Sequence, residues 1–120
     1  MIERLSGRRA FDQLRADGRR RGRGPLRLLI RADPTQSARV AYAIPRSVGN
    51  AVERNRIKRR LRAVLNELDH APGGVPGGDY LIRVVGPIEH WSHATLRTTM
   101  AELMMTSASA TVDEHGGIRR

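Results

Sequence analysis

The feature of the sequence that most directly indicates a chemistry is a run of cations, because six of the nine residues from Arg54 to Arg62 are Lys or Arg. These cations are Arg54, Arg56, Lys58, Arg59, Arg60 and Arg62. Like charges four residues apart destabilise a helix, so a helix with this surface makes sense when phosphate groups neutralise it. A solvated face that only keeps a protein in solution would include Glu, and this run has none. We therefore predict a basic helical ridge that binds nucleic acid.

Arg54 lies at the edge of the apolar stripe of the same helix and close to its start. Two interpretations of this residue stay open. It contacts a second stretch of nucleic acid beside the helix N-terminus, where backbone amides also favour phosphate, or it pairs with Asp or Glu on the neighbouring sheet.

The positive charge is concentrated in the first half of the chain. The formal net charge is +10, and residues 1–62 hold 18 Lys or Arg against five Asp or Glu, whereas residues 63–120 hold four against seven. An uneven field of this size attracts a polyanion, which is usually nucleic acid. The alternative is an arginine-rich composition without any such partner.

The sequence offers no catalytic residues and no metal site of its own. Cysteine is absent, which excludes disulfides, thiolate zinc sites and cysteine nucleophiles. His90 and His93 share a helical turn, but no third ligand has a matching spacing, so we interpret both as surface histidines. No apolar run is long enough to span a membrane, and the start of the chain has no secretory apolar segment. We expect a cytoplasmic protein that acts by binding, with no small-molecule substrate.

Apolar spacing and turn residues predict the elements that position the ridge. The first half is predicted to contain a helix over Gly7–Ala16, an exposed loop over Gly18–Gly24, and strands over Pro25–Ala32 and Arg39–Ile44. The loop assignment rests on its glycines and on four arginines that repel one another.

The best-marked element is a helix that begins at Ala51, because Asn50 and Glu53 have the spacing of a capping box. This helix is predicted to end near Asp69. The rest of the domain is predicted to be a strand over Asp79–Val85 and a last helix that Ser92 caps and that runs to about residue 105. The order indicates a single α+β domain over residues 1–105 and a disordered tail over residues 106–120.

The central run is similar to the signature helix of the bacterial ribonuclease P protein family. That run is Val48-Gly49-Asn50-Ala51-Val52-Glu53-Arg54-Asn55-Arg56-Ile57-Lys58-Arg59-Arg60-Leu61-Arg62. The resemblance extends over about Leu5 to Met105. It includes Phe11 in the first helix, Gly18 after it, Arg39-Val40 in the second strand and Asp79-Tyr80 in the third.

The resemblance implies a compact fold with the order α-β-β-(β)-α-β-α, in which the basic helix forms a left-handed β-α-β crossover on a central mixed sheet. It also implies the function of that family, which is to assist the endonuclease that removes the 5′ leader of precursor tRNA. In such a particle the RNA subunit holds the catalytic Mg²⁺ ions. The partners are that RNA and precursor tRNA, with no membrane, and the protein alone is inactive.

By position, the resemblance assigns two RNA-binding surfaces. The surface for the catalytic RNA comprises Arg56, Lys58, Arg59, Arg60 and Arg62. The leader cleft, between the first helix and the sheet, comprises Phe11, Arg15, Leu28, Ile30, Ala43, Arg46, Arg54, Asn55 and Arg83. Arg15 and Ile30 stand where relatives often have an aromatic residue, and Arg83 stands where an aliphatic residue is common. We therefore expect leader binding that is more electrostatic and more sensitive to salt.

Two other functions are weighed against this one. A ribosomal or general RNA-binding protein would also carry a basic helix. A DNA-binding regulator would insert that helix into a major groove, but the sequence has no obvious dimerisation seam and almost no Asn or Gln on the ridge to contact bases.

Overall fold

A mixed five-stranded sheet forms the centre of the protein in a computed structural model that describes residues 2–105, 111–112 and 118–119. Its strands, in chain order, are β1 (Glu3–Arg4), β2 (Arg19–Arg23), β3 (Leu26–Ala32), β4 (Ala38–Ala43) and β5 (Gly78–Val84). Their order in the sheet is β1-β4-β5-β3-β2. The pairs β1–β4 and β4–β5 are parallel, whereas β5–β3 and β3–β2 are antiparallel.

Three helices cover the two faces of this sheet. They are α1 (Arg8–Asp17), α2 (Ala51–His70) and α3 (His93–Met105), and a short 3-10 turn (Arg46–Val48) precedes α2. The main core lies between one face and the helices α2 and α3, and it includes Ile57, Leu61, Val64, Leu65, Leu96, Met100, Leu28, Tyr80 and Ile82. On the other face, Leu14 of α1 is buried with Leu5 and Leu29 in a smaller cluster.

The capping box predicted at the start of α2 is present. The Glu53 backbone N–H donates to Asn50 Oδ1, and the Asn50 backbone N–H donates to Glu53 Oε1, each at 2.8 Å. Two of the amides that a helix start leaves without partners are thereby satisfied. The last helix is also capped as predicted, because the Thr95 backbone N–H donates to Ser92 Oγ at 3.0 Å.

The prediction of an exposed loop over Gly18–Gly24 was wrong, because Arg19–Arg23 form the edge strand β2. The arginines do not simply repel one another. Arg21, with 9% of its surface exposed, donates to the Leu103 carbonyl near the end of α3 at 2.8 Å, and Arg23 pairs with Glu102 at 3.1 Å. Partners on α3, distant in sequence, therefore stabilise a strand that local composition disfavours.

Helices α1, α2 and α3 and strands β3, β4 and β5 agree closely with the sequence-based predictions, whereas β1 and the 3-10 turn were not predicted. Strands β4 and β5 are parallel neighbours joined through α2, so the β-α-β unit is present. Its hand stays a prediction of the family resemblance.

Two short strands, β6 (Thr111–Val112) and β7 (Ile118–Arg119), pair antiparallel within the stretch predicted to be a disordered tail. The rest of that stretch lies outside the described residues, so the tail stays a prediction.

Neither a membrane span nor a metal site is found in the part of the chain that the structure describes. None of the described helices combines the length and apolar character needed to cross a bilayer. The described residues also contain no group of three His, Cys, Asp or Glu placed to hold a metal ion.

Candidate nucleic-acid interface

Helix α2 presents its cations in three directions, because 3.6 residues per turn distribute a continuous basic run around the helix. Arg56 and Arg59 are exposed on the outer surface. Neither side chain makes a hydrogen bond or ion pair with any residue in the described part of the chain. These two guanidinium groups are therefore available to a polyanion.

The second direction faces the edge of strand β4. Lys58 and Arg62 line a groove of about 900 Å³ between α2, β4 and the N-terminal segment, which we call the α2 groove. Its other lining residues include Phe11, Tyr42, Asp69 and His70. A smaller pocket of about 170 Å³ adjoins it, shares Tyr42 and Lys58, and is also lined by Arg54 and Asn55. The groove thus has cations on its helix side.

Tyr42 lies at the junction of these two cavities. The guanidinium carbon of Arg62 is 5.7 Å from the centre of the Tyr42 ring, a cation–π distance. Burial raises the pKa of Tyr42 to about 12, so the phenol is neutral at physiological pH.

The third direction faces the connection between β5 and α3. The half-buried Arg60 donates from its two terminal nitrogens to the backbone carbonyls of Ile88 and Trp91. Its assignment to the RNA surface stays a prediction, but this guanidinium already has partners within the protein.

Five arginines line a separate pocket of about 360 Å³ on the α1 face of the sheet. We call it the arginine pocket. The arginines are Arg15, Arg20, Arg21, Arg27 and Arg83, and the other lining residues are the apolar Leu28, Leu29, Ala43 and Leu81. No acidic residue lines it among the residues described. An apolar floor with guanidinium groups around it is suited to a nucleotide, whose base is flat and whose phosphate is anionic.

Sheet register explains why these residues meet. Arg27 on β3, Arg83 on β5 and Ala43 on β4 lie directly beside one another, so they share a face. The neighbouring row on that face contains Leu29, Leu81 and Ala41. Like charges directly opposite each other on adjacent strands are destabilising, which favours an anion near Arg27 and Arg83.

The assignment of Ile30 to the cleft face was wrong, whereas Leu28, which also belongs to the main core, is among the residues that line the arginine pocket. Leu28 is 2% exposed and lies in the main core, and Ile30 packs against the same core. Side chains alternate between the faces of a strand, so Arg27, Leu29 and Arg31 lie on the cleft side instead. Leu29 is the one apolar residue among these three, so the alternation of Arg27 and Arg31 with apolar residues already indicated the register in the sequence.

The other residues predicted for the leader cleft lie at different cavities, and the cleft as a whole stays a prediction. Arg15, Ala43 and Arg83 line the arginine pocket, whereas Arg54 and Asn55 lie beside the α2 groove. Phe11 lines the α2 groove, with the Arg15 guanidinium 5.9 Å from its ring, and Arg46 is exposed in the 3-10 turn. The Nε of Arg54 donates to the Gly49 carbonyl at 3.2 Å, so the helix N-terminus holds this side chain.

Sequence reasoning missed Arg20, Arg21, Arg27, Leu29 and Leu81 as lining residues of the arginine pocket. A loop was predicted where β2 lies, so Arg20 was not assigned to either face of the sheet. A period-2 pattern was available for Arg27, because Leu26 and Leu28 on either side of it are buried.

An ion pair between the buried carboxylate of Asp79 and the partly exposed Arg39 lies at the other end of the same sheet face. Asp79 is fully buried and receives hydrogen bonds from Arg39 at 2.8 and 2.9 Å and from Gln36 at 2.8 Å. Hydrogen bonding to Asp79 raises the pKa of Arg39. Arg31 lies 3.6 Å from the same carboxylate and reaches Gln13 of α1 at 3.5 Å, so this cluster links the first helix to the sheet.

The fold and its cationic surfaces define a small basic α+β protein, and comparison with known proteins identifies its family. The family model for ribonuclease P matches residues 2–107. A ribonuclease P protein component from Nocardioides sp. (strain ATCC BAA-499 / JS614) is 38% identical over 92 residues, which cover 73% of this chain and 76% of that protein. The chain belongs to the ribonuclease P protein family.

Two further comparisons agree with this assignment. A ribonuclease P protein component from Thermus scotoductus is 47% identical over 68 residues, which cover 57% of this chain and 40% of that longer protein. The solved structure of the RNase P protein from Thermotoga maritima has the same fold, with a TM-score of 0.69 at 23% identity, over 85% of this chain and 94% of that one.

Proposed function

We propose that this protein is a subunit of a ribonuclease P ribonucleoprotein and binds both its catalytic RNA and the 5′ leader of precursor tRNA. The observation that carries the proposal is the pair of exposed guanidinium groups on α2, Arg56 and Arg59, which lack partners in the described part of the chain. Membership of the family supports RNA as the polyanion that these groups meet.

The surface for the catalytic RNA comprises the cations on the outer and groove sides of α2. Arg56 and Arg59 contact phosphates directly, and Lys58 and Arg62 extend the contact into the α2 groove. Each cation that neutralises a phosphate releases counterions, so this contact depends strongly on salt.

The leader of precursor tRNA binds in the arginine pocket. Guanidinium groups pair with phosphates and stack on bases, and Leu29 and Leu81 give the floor an apolar surface for a base. Because the pocket holds arginines and no aromatic ring among its described lining residues, leader binding is chiefly electrostatic.

The hydrolytic step belongs to the RNA subunit and its Mg²⁺ ions in this proposal. The protein contributes by binding the leader, which adds affinity for precursor over mature tRNA, and by screening phosphates, which lowers the Mg²⁺ that the RNA needs. Such a particle would act in the cytoplasm, where precursor tRNA is processed in bacteria.

Reconstitution tests the proposal. The full chain, the ribonuclease P RNA of the same organism and a precursor tRNA are combined at low Mg²⁺, and release of the 5′ leader is measured. We expect cleavage only when protein and RNA are both present. No stimulation of the RNA by the protein would contradict the proposal, and equal affinity of the particle for precursor and mature tRNA would favour a general RNA-binding protein instead.

A further inference from the structure

Arg60 lies within the basic run, yet it differs from its neighbours in what it contacts. Its guanidinium donates to the Ile88 carbonyl at 3.0 Å and to the Trp91 carbonyl, both in the connection between β5 and α3. The planar fork of arginine can satisfy two carbonyls at once, whereas lysine presents a single charge centre. These bonds tie the middle of α2 to the segment that carries Trp91.

The Trp91 ring in turn packs against the turn between β2 and β3. Gly24 in that turn has a φ of +57°, and a Cβ added there would lie 3.4 Å from Cζ2 of Trp91. The same turn is also joined to the end of β5, because the Val85 backbone N–H donates to the Pro25 carbonyl at 2.8 Å. Trp91 and this turn therefore hold each other in place.

The turn also positions one member of the arginine pocket. The Arg27 guanidinium donates to the carbonyl of Gly24 and, at 3.0 Å, to that of Leu26. Arg27 lines the arginine pocket. A continuous series of contacts thus runs from Arg60 through Trp91 and Gly24 to Arg27.

We propose that Arg60 is a positioning residue for the arginine pocket, acting through Trp91 and the β2–β3 turn. In this role it contacts protein carbonyls and no phosphate, although it lies in the basic run of α2. The contacts from Arg60 through Trp91 and Gly24 to Arg27 support the positioning role within the protein. Its consequence for RNA rests on the proposed function.

The first experiment uses Trp91 as an internal reporter, because it is the only tryptophan in the chain. Arg60→Gln is compared with Arg59→Gln, which removes the same charge from an exposed position, at a temperature where circular dichroism shows both to be folded. In Arg60→Gln we expect Trp91 emission at longer wavelength and an acrylamide quenching constant about twofold higher, because local opening exposes the ring. Arg59→Gln keeps the wild-type values, and wild-type values in folded Arg60→Gln would overturn the proposal.

The second experiment measures binding of a single-stranded oligouridylate as a function of salt. Arg60→Gln lowers the affinity severalfold but keeps the wild-type slope of log affinity against log salt, because no phosphate contact is lost. Arg83→Gln serves as the contrast and reduces that slope by about 0.7. A similar loss of slope in Arg60→Gln, or an unchanged affinity despite altered Trp91 emission, would overturn the positioning role.

The two proposals fail in different ways. If the wild-type chain binds no RNA, the proposed function fails, while Trp91 emission still decides whether Arg60 holds this segment. Arg60→Lys provides a second variant if Arg60→Gln does not fold. Lysine keeps the charge but loses the planar guanidinium group that bonds both carbonyls. We therefore expect an acrylamide quenching constant between those of wild type and Arg60→Gln. A quenching constant identical to wild type would contradict the role assigned to the guanidinium group.

Discussion

At the scale of single residues, Asp79 shows how a buried charge organises the sheet. Its carboxylate is inaccessible to solvent and is paired with Arg39, with Arg31 nearby. Removing one partner of a buried pair leaves the other charge uncompensated, which costs more than the pair itself contributes. Asp79 could not be assigned this role from the sequence, because its partners lie on β3, on β4 and in the turn between them, distant along the chain.

Asp79→Asn preserves shape and removes the charge. We expect it to lower the free energy of unfolding by about 3 kcal/mol, measured by urea denaturation. The matched control is Asp12→Asn, because Asp12 is exposed and pairs with Arg15 only at 3.4 Å. That change is expected to cost less than about 0.5 kcal/mol. A loss below about 1 kcal/mol for Asp79→Asn would contradict the importance of the buried pair.

At the scale of elements, local signals sufficed where the determining contacts are local. The capping box of α2 lies within four residues, and the apolar stripe of that helix repeats within two turns, so both could be predicted. Strand β2 could not be predicted in this way, because it depends on contacts of Arg21 and Arg23 with α3, about 80 residues away. The three directions of the α2 cations also required the packed neighbours of that helix, whereas the alternation of Arg27 and Arg31 with apolar residues in β3 was present in the sequence.

Asn50→Ala tests the start of α2. Loss of the side-chain acceptor leaves the Glu53 backbone N–H without its partner. We expect a loss of about 1 kcal/mol in the free energy of unfolding, with an unchanged m-value. Asn50→Ser retains an acceptor and should remain within a few tenths of a kcal/mol of wild type. Equal stabilities of the Ala and Ser variants would show that the cap contributes little.

At the scale of the whole molecule, stability depends on pH through two tyrosines that pack against the main core. Burial raises the pKa of Tyr80 and of Tyr42 to about 12, whereas an unfolded tyrosine titrates near 10. The unfolded chain therefore loses these protons first as the pH rises. Stability is fully present below about pH 10 and falls between about pH 10 and 12.

We expect each tyrosine to lower the free energy of unfolding by at most about 1.4 kcal/mol per pH unit across that window. Urea denaturation at successive pH values measures this decline in the free energy of unfolding. Tyr80→Phe should show a shallower decline, although it starts from lower stability because the Tyr80 hydroxyl donates to the Pro76 carbonyl at 2.6 Å. A decline as steep as that of the wild-type protein in both Tyr80→Phe and Tyr42→Phe would exclude the tyrosines as its source.

The protein has two separate cationic surfaces, the exposed side of α2 and the arginine pocket. We expect substitutions in each surface to affect a different binding step of the ribonucleoprotein. Replacing Arg56 and Arg59 together by Gln should weaken assembly with the catalytic RNA, whereas Arg83→Gln should mainly reduce the preference for leader-bearing over leaderless tRNA. Dissociation constants for RNA and for both tRNA forms measure the two effects. Indistinguishable profiles would show that the division into two surfaces is incorrect.

The most direct test is the affinity of the isolated full chain for its ribonuclease P RNA, measured across a range of salt concentrations. If the four cations on the outer and groove sides of α2 each neutralise one phosphate, log affinity should fall against log salt with a slope of about −3 to −4. No measurable binding in dilute buffer, or binding that does not change with salt, would contradict the claim that these cations meet an RNA backbone.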